Sequence, residues 1–369
     1  MTVPVEDPHV TVLTPVYNGA RYLPACIESV LAQTYRSWSY VIVDNCSTDG
    51  SLEIAQRYAR QDPRIRVVSN ERFVDVLVNH NIAFRLVGED SRYCKVVHAD
   101  DWLFPDCLRR MVEVAEAHPS VGIVGAYRLD DARVGCDGLP YPSTVVPGRV
   151  LGRLRLLGGP GVFGSLTSVL IRADQVRRRD PFLDEADFHS DTSVCYEIVS
   201  EADFGFVHQV LTFTRRHAEA QTSRAERVNT YQASQLGRLL RYGPVFLSQD
   251  EYERRKKEVL GQYYRFLARR LLEPRPEEAW SYHRQALKAM GHPMRWRSLA
   301  GALLPYWPRV LAQPFAVLRL ATRVLVLLRT GRVRGRGRKG PGADGMLPPG
   351  GPLHHEGAPK AGVRTPTGA

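Results

Sequence analysis

The sequence predicts an α/β fold: a mostly parallel central sheet with helices on both faces, followed by a helical C-terminal extension. Three observations carry this. Short β-branched runs alternate with helix-period segments five times within roughly 125 residues, the pattern of a parallel sheet. Polar residues cluster just after the ends of these runs, at Asn18, Asp44 and the pair Asp100/Asp101. Beyond about residue 225, charges are many and strand formers few, a composition that suits packed helices.

The elements follow in order. "VTVLTP" from Val10 to Pro15 is the first strand, ended by its proline. In "ARYLPACIESVLAQTY", Leu23, Ile27, Val30 and Leu31 recur at helical spacing and share one face. "YVIVD" is a strand ending at Asp44, and Ser47, Thr48 and Asp49 suit the N-cap of the helix "SLEIAQRYARQ". "IRVVSN" is the third strand, "VLVNHNIAFRLV" a helix and "YCKVVHADD" the fourth strand. "PDCLRRMVEVAEAHP" is a helix with Pro105 at its start, and "VGIVGAY" is the fifth strand. From Ala126 to Pro160 glycine and proline loosen the pattern. "GVFGSLTSVLIRAD" then becomes a strand, "DEADFHSDTSVCYEIVSEAD" is an acidic loop opening a helix, and "FGFVHQVLTFTRRH" is one or two strands. The expected units are a catalytic sheet domain over 1–225, a helical extension over 226–297, an amphipathic segment over 298–330 and a disordered basic Gly/Pro tail over 331–369.

Composition narrows the function. The chain has 369 residues and a formal net charge of +11, which points to an anionic partner such as a nucleotide, a phosphate or an acidic lipid. Nucleic acid is disfavoured as that partner. Its characteristic basic run, "RGRGRK", lies in the tail, away from interleaved aromatics on a folded surface. The six cysteines form no CxxC pair and no zinc spacing, and read as reduced thiols. The N-terminus lacks the basic-then-apolar pattern of a signal peptide, and no run reaches the length of a transmembrane helix. A cytoplasmic protein is expected, peripheral on the inner face of the plasma membrane if the 298–330 segment touches lipid. That segment carries Tyr306 and Trp307, and Arg319 and Arg323 share a helix face.

In such sheets ligands bind beyond the carboxyl ends of the strands. Adjacent Asp100 and Asp101 can be held ionised by a hard divalent cation, Mg2+ or Mn2+, that also binds substrate phosphates. Alternatively Asp101 caps the helix that follows. Asp44 is placed to accept a hydrogen bond from a nucleoside, or is a turn residue. No GxGxxG and no GxxxxGK[ST] is present, which removes the dinucleotide fingerprint and the P-loop.

Taken together, "VLTPVYNGARYLPACIESVLAQTY", "VIVDNCSTDGS" and "HADDW" resemble the family 2 glycosyltransferases of bacterial type, with the GT-A fold, over roughly residues 9–225. The resemblance implies transfer of a sugar, with inversion and metal assistance, from a UDP-, GDP- or dTDP-linked donor to a carbohydrate or lipid-linked acceptor, in cell-surface glycan synthesis. It places Pro15, Tyr17 and Asp44 at the nucleotide, where Asn18 and Asn81 are expected to join them. It places Asp100, Asp101 and His217 at the metal, Arg215 and Arg216 at the diphosphate, and Asp191 as the catalytic base. Phe163 to Ser165 are expected to wall the acceptor side. The sequence departs from the family at His98, which stands where the first acid of the metal motif is usual, and at His80, where an arginine is common. The rival is a nucleotide-sugar-binding protein without catalysis. For single residues the plainer readings are a helix cap for Asp191, a surface residue for His217, and packing or sugar stacking for Trp102.

Overall fold

The computed structural model describes residues 7–217, 228–272 and 277–306. Among the described residues, ten strands form one mixed sheet. Its parallel half comprises β1 (Val10–Val16), β2 (Trp38–Asp44), β3 (Ile65–Ser69) and β4 (Tyr93–Val96), in the order β3-β2-β1-β4. Next to β4 comes β9 (Val169–Arg172), antiparallel to it and to β6 (Val121–Asp130), which runs parallel with β10 (Asp203–Thr214). The two-residue β5 (Trp102–Leu103) and β8 (Val145–Val146) add to β10, and β7 (Arg133–Gly135) folds back on β6. The sheet is thus parallel where strand–helix alternation predicts it. It becomes mixed where the sequence loosens, because β9 returns through a long connection and inserts between the expected fourth and fifth strands.

The connecting helices are α1 (Leu23–Leu31), α2 (Ser51–Gln61), α3 (Val76–Phe84), α4 (Cys107–Ala117), α5 (Gly148–Leu156), α6 (Ala173–Arg177) and α7 (Ser190–Glu201). Helix α1 buries Leu23, Cys26, Ile27 and Val30, the face its sequence spacing predicts. Each large aliphatic side chain removed from water stabilises by about 1.5–3 kcal/mol. The N-cap of α2 is Gly50 in a left-handed conformation (φ 90°) rather than Ser47, Thr48 or Asp49. Asp49 still serves the helix start, since its Oδ1 accepts from the Ser51 N–H at 3.1 Å.

The extension consists of α8 (Tyr231–Phe246), α9 (Gln249–Leu272), α10 (Glu277–Ala289) and α11 (Trp296–Leu303). It is not separately cored. Leu236, Leu239, Tyr242 and Phe246 belong to the same buried cluster as Leu151, Tyr196 and Phe204 of the sheet region. Gly152 makes this contact close, because a Cβ there would lie 2.3 Å from the Phe246 ring. No helix among the described residues is long and apolar enough to cross a membrane. All six cysteines carry free thiols. Most of the expected amphipathic segment, with Trp307, Arg319 and Arg323, and all of the 331–369 tail lie outside the described residues.

Candidate active site

The carboxyl ends of β1, β2 and β4 share one edge of the sheet, as parallel pairing requires. Val16 pairs with Asp44, Asp44 with Ser69, and Leu13 with Val96. Asp44 is fully buried there. Its Oδ2 accepts from the Ser47 N–H at 3.1 Å and from the Ser69 hydroxyl at 3.4 Å. Its Oδ1 is buried with no hydrogen-bond partner. A buried carboxylate oxygen left without a donor is costly, so the geometry fits a ligand N–H better than a mere turn. Beside it, buried Asn45 donates to the Val74 carbonyl and accepts from Val74 N–H and from Asn70, which also bonds Asn79. This network fixes the 70–75 loop, which carries Phe73. The rings of Phe73 and Tyr17 are 4.7 Å apart and both are exposed, an aromatic flank at the mouth of the site. Phe73 is absent from the sequence-based set, because a lone aromatic in a loop has no periodic signal.

Three expected nucleotide residues are engaged otherwise. Pro15 is buried within β1 opposite Val43. Asn18 adopts a left-handed conformation (φ 50°), and its Oδ1 accepts from the Thr48 N–H at 2.8 Å, stapling the loop after β1 to the loop after β2. Asn81 is buried, donates to the Leu183 carbonyl and to Glu185, and accepts from the Leu183 N–H. It ties α3 to the segment leading into α7. Both of its amide hydrogens are used inside the protein.

The His98–Trp102 turn leaves β4 between several anchors. Thr14 donates to the Val97 carbonyl at 2.7 Å and Cys26 to the His98 carbonyl at 3.4 Å. The His98 N–H donates to Thr167 Oγ1 at 3.1 Å. Thr167 is itself held by Lys95, a fully buried lysine of β4 whose Nζ donates to the carbonyls of Thr167 (2.6 Å) and Val169 (3.1 Å). Burial holds the Lys95 ammonium below the ordinary lysine range, with Cys107, Cys94 and Asp101 acting the other way.

The two acids of the turn divide the work. Asp100 Oδ2 meets His217 Nε2 at 2.9 Å. Asp101 is buried, and its Oδ1 accepts from the Arg215 backbone N–H at 3.1 Å. Its Oδ2 faces His98 Nδ1 at 3.6 Å, too long for a hydrogen bond. Asp101 does not cap α4, whose N-cap is Asp106. Arg215 Nε donates to the Asp100 carbonyl at 3.2 Å, and its guanidinium lies over Tyr22 (4.7 Å) and Trp102 (5.1 Å). Trp102 is half-buried and stacks on Phe213 at 3.6 Å. The Arg216 backbone bonds Asp131, and its guanidinium approaches Asp130 at 3.7 Å.

Asp191 lies in the first turn of α7, where its Oδ1 accepts from the Thr192 N–H at 2.7 Å. The N-cap there is His189, so Asp191 is not the cap. Burial raises the Asp191 pKa, and His98 and Arg238 offset part of that rise. Burial alone would lower His98, but the charges of Asp101, Asp100 and Asp191 outweigh it and raise it. The ring of His80 sits 5.5 Å from that of His98. Burial, and then His98, push His80 down to about 4. Neutral His80 donates its Nδ1–H to the Val76 carbonyl. His98 thus lies within electrostatic reach of both the metal-motif acids and Asp191. Phe163, expected on the acceptor wall, is instead buried against Tyr196 and Phe204.

For a divalent cation the fit is partial. Asp100 and His217 offer a carboxylate oxygen and an imidazole nitrogen 2.9 Å apart, while Asp101 spends its Oδ1 on the backbone of Arg215 and keeps a buried Oδ2 with no hydrogen-bond partner. No cluster of three or more His, Cys, Asp or Glu with metal-holding geometry occurs among the described residues. Two protein ligands suit a cation that takes its remaining oxygens from a substrate diphosphate and water.

Comparison with known proteins bears on the family and the fold. Residues 11–172 match the family model "Glycosyl transferase family 2". The chain is 39% identical over 106 residues to the putative teichuronic acid biosynthesis glycosyltransferase TuaG of Bacillus subtilis, covering 29% of this chain and 41% of TuaG. It is 33% identical over 147 residues to the putative glycosyltransferase EpsE of the same organism, covering 39% of this chain and 51% of EpsE. The matches thus span about half or less of these relatives' lengths. The solved structure of S. aureus TarS 1–349 in complex with UDP-GlcNAc superimposes with a TM-score of 0.55 at 15% identity, over 81% of this chain and 92% of that one. That likeness is one of fold. Residues 11–172 thus resemble the family 2 glycosyltransferases in sequence, and the chain shares the GT-A fold of its structural neighbour.

Proposed function

We propose that the chain transfers a sugar from a nucleoside-diphosphate donor to an acceptor hydroxyl with inversion at the anomeric carbon. One observation carries the reading. A single sheet edge gathers a buried carboxylate with an unpartnered oxygen (Asp44), an Asp–His pair that fits a cation (Asp100 and His217) and an enclosed carboxylate with a raised pKa (Asp191). Asp44 accepts an N–H of the base, flanked by Tyr17 and Phe73. Asp100 and His217 would hold Mg2+ or Mn2+, and such a cation would supply positive charge against the negative charge growing on the departing diphosphate. Arg215 acts through Asp100, by fixing its backbone, and Arg216 lies on the same segment. Asp191 accepts the proton of the attacking hydroxyl. Its raised pKa brings it nearer neutrality, which strengthens it as a base.

The ligand in the TarS complex supports a UDP-type donor, and the name of TuaG, a putative teichuronic acid biosynthesis glycosyltransferase, supports an acceptor in cell-surface glycan synthesis, on a carbohydrate or a lipid-linked glycan. GDP- and dTDP-linked donors belong to the same proposal, as does a cytoplasmic location. Calorimetric titration of UDP, GDP and dTDP, with Mn2+ and with chelator, into wild type and Asp100→Asn tests the donor side. The expected result is Mn2+-dependent binding of one nucleotide, weakened in the variant. Equal binding in chelator would remove the cation from the proposal, and failure of all three nucleotides would remove the function.

A further inference from the structure

The helical extension carries a groove between α9 and α11, a cavity of about 570 Å³. Lys257, Gly261 and Arg265 recur every four residues and so line one face of α9. His292 and Arg295 close the other side, with Tyr264 between them. The Tyr264 hydroxyl accepts the Arg295 N–H at 2.8 Å and ties the two walls together. The groove is open because its centre is small. A Cβ on Gly261 would meet only the tip of Arg265 at 3.6 Å, and one on Gly301 of α11 would meet nothing within 4 Å.

The electrostatics are one-sided. No carboxylate lines the groove. Lys257, Arg265 and Arg295 make no ion pair among the described residues, whereas their neighbours Arg255 and Lys256 are paired with Glu258 and Glu253. Partial burial, then the charges of Lys256 and Arg295, hold His292 below its ordinary pKa. Trp296 and Leu304, at either end of α11, are exposed, Leu304 by 71%. The sequence that continues over 307–330 contains Arg309, Arg319, Arg323 and Arg329 and no acidic residue. It therefore repeats the charge of the groove instead of complementing it.

We propose that this groove binds the phosphate headgroup of an anionic lipid. Lys257, Arg265 and Arg295 surround the phosphate, and Trp296 and Leu304 face the acyl boundary, where aromatic and aliphatic side chains are favourable. The site is independent of the sheet edge, and it stands whether or not Asp191 is the base.

The test is co-flotation of the full chain with phosphatidylcholine vesicles with and without phosphatidylglycerol. Removing three headgroup contacts by Lys257→Ala, Arg265→Ala and Arg295→Ala together is expected to weaken binding about a hundredfold, at roughly fivefold per basic residue. Gly261→Leu keeps every charge and fills the groove; a loss of about tenfold is expected there, equal to about 1.4 kcal/mol. Gly261→Ala, whose Cβ meets only ordinary contact, gives a smaller loss and guards against misfolding of the larger variant. Arg36→Ala, Arg60→Ala and Arg66→Ala together remove the same net charge from exposed positions of the sheet region and are expected to bind like wild type. An equal loss in that control, or full binding by Gly261→Leu, would overturn the site in favour of diffuse charge or of the 307–330 segment. Equal flotation with neutral vesicles would overturn it as well. So would groove-dependent binding of inorganic phosphate without any vesicle binding, which would identify a free anion as the ligand.

Discussion

Replacing Asp44 by asparagine changes one atom at the centre of the proposed nucleotide site and leaves its shape intact. The Asn Oδ1 can keep the Ser47 N–H, now 3.1 Å from the carboxylate. That turns the Nδ2 group to where the unpartnered Oδ1 now lies. A donor then faces the donor of the base. The loss is one hydrogen bond to a charged acceptor, about 1.5–3 kcal/mol, which corresponds to a Kd about ten- to hundredfold weaker. The free protein is expected to melt at or above the wild-type temperature, because a buried carboxylate with an unsatisfied oxygen has been neutralised. Calorimetric titration of the binding nucleotide into both proteins, with melting curves alongside, reads both effects. An unchanged Kd would refute the assignment of Asp44 to the base. A large drop in melting temperature would show that the carboxylate serves the fold instead.

Other substitutions read different parts of the account. Asp191 must be ionised to accept a proton, so activity should fall as pH drops through its raised pKa, above the ordinary carboxylate value of about 4. The sign for stability is opposite: a carboxyl whose folded pKa is raised loses its stabilising contribution as pH rises through that value. Asp191→Asn should therefore melt no lower than wild type at neutral pH, with the difference shrinking in acid; a clear drop at neutral pH would contradict the burial argument. Lys95→Met leaves the Thr167 and Val169 carbonyls without their donor and should cost about 1–3 kcal/mol in denaturant unfolding. It should also weaken nucleotide binding, because Thr167 anchors His98. Gly152→Ala forces a Cβ against Phe246 and should cost about 1–3 kcal/mol by overpacking, with nucleotide affinity unchanged in the folded protein.

The parallel half of the fold was legible because each of its strands is followed by its own helix, and periodicity reports both. The position of β9 was not, since pairing of β9 with Tyr93–Lys95 joins segments more than seventy residues apart and leaves no local trace. The strand-end positions of Asp44 and Asp100 were legible from the alternation alone, and the structure places both at the carboxyl edge of the sheet. What the sequence could not show was how the neighbouring polar groups are spent. Asn18 and Asn81, expected at the nucleotide, also bond neighbouring segments of the chain, which one dimension does not show. Asp101 is indistinguishable from Asp100 until the backbone of Arg215, just after β10, takes one of its oxygens and leaves the other buried without a partner. Lys95 reads as a charge on a strand, and only the packing of the 166–169 segment shows it buried beneath the His98 turn.

The most direct test of the central claim is release of nucleoside diphosphate from UDP-, GDP- and dTDP-linked sugars in the presence of Mn2+, with water as acceptor, by wild type and Asp191→Asn. The account predicts release from one nucleotide class by wild type, reduced by about a hundredfold or more in the variant. Absence of release from all three donors, or equal release by Asp191→Asn, would contradict it.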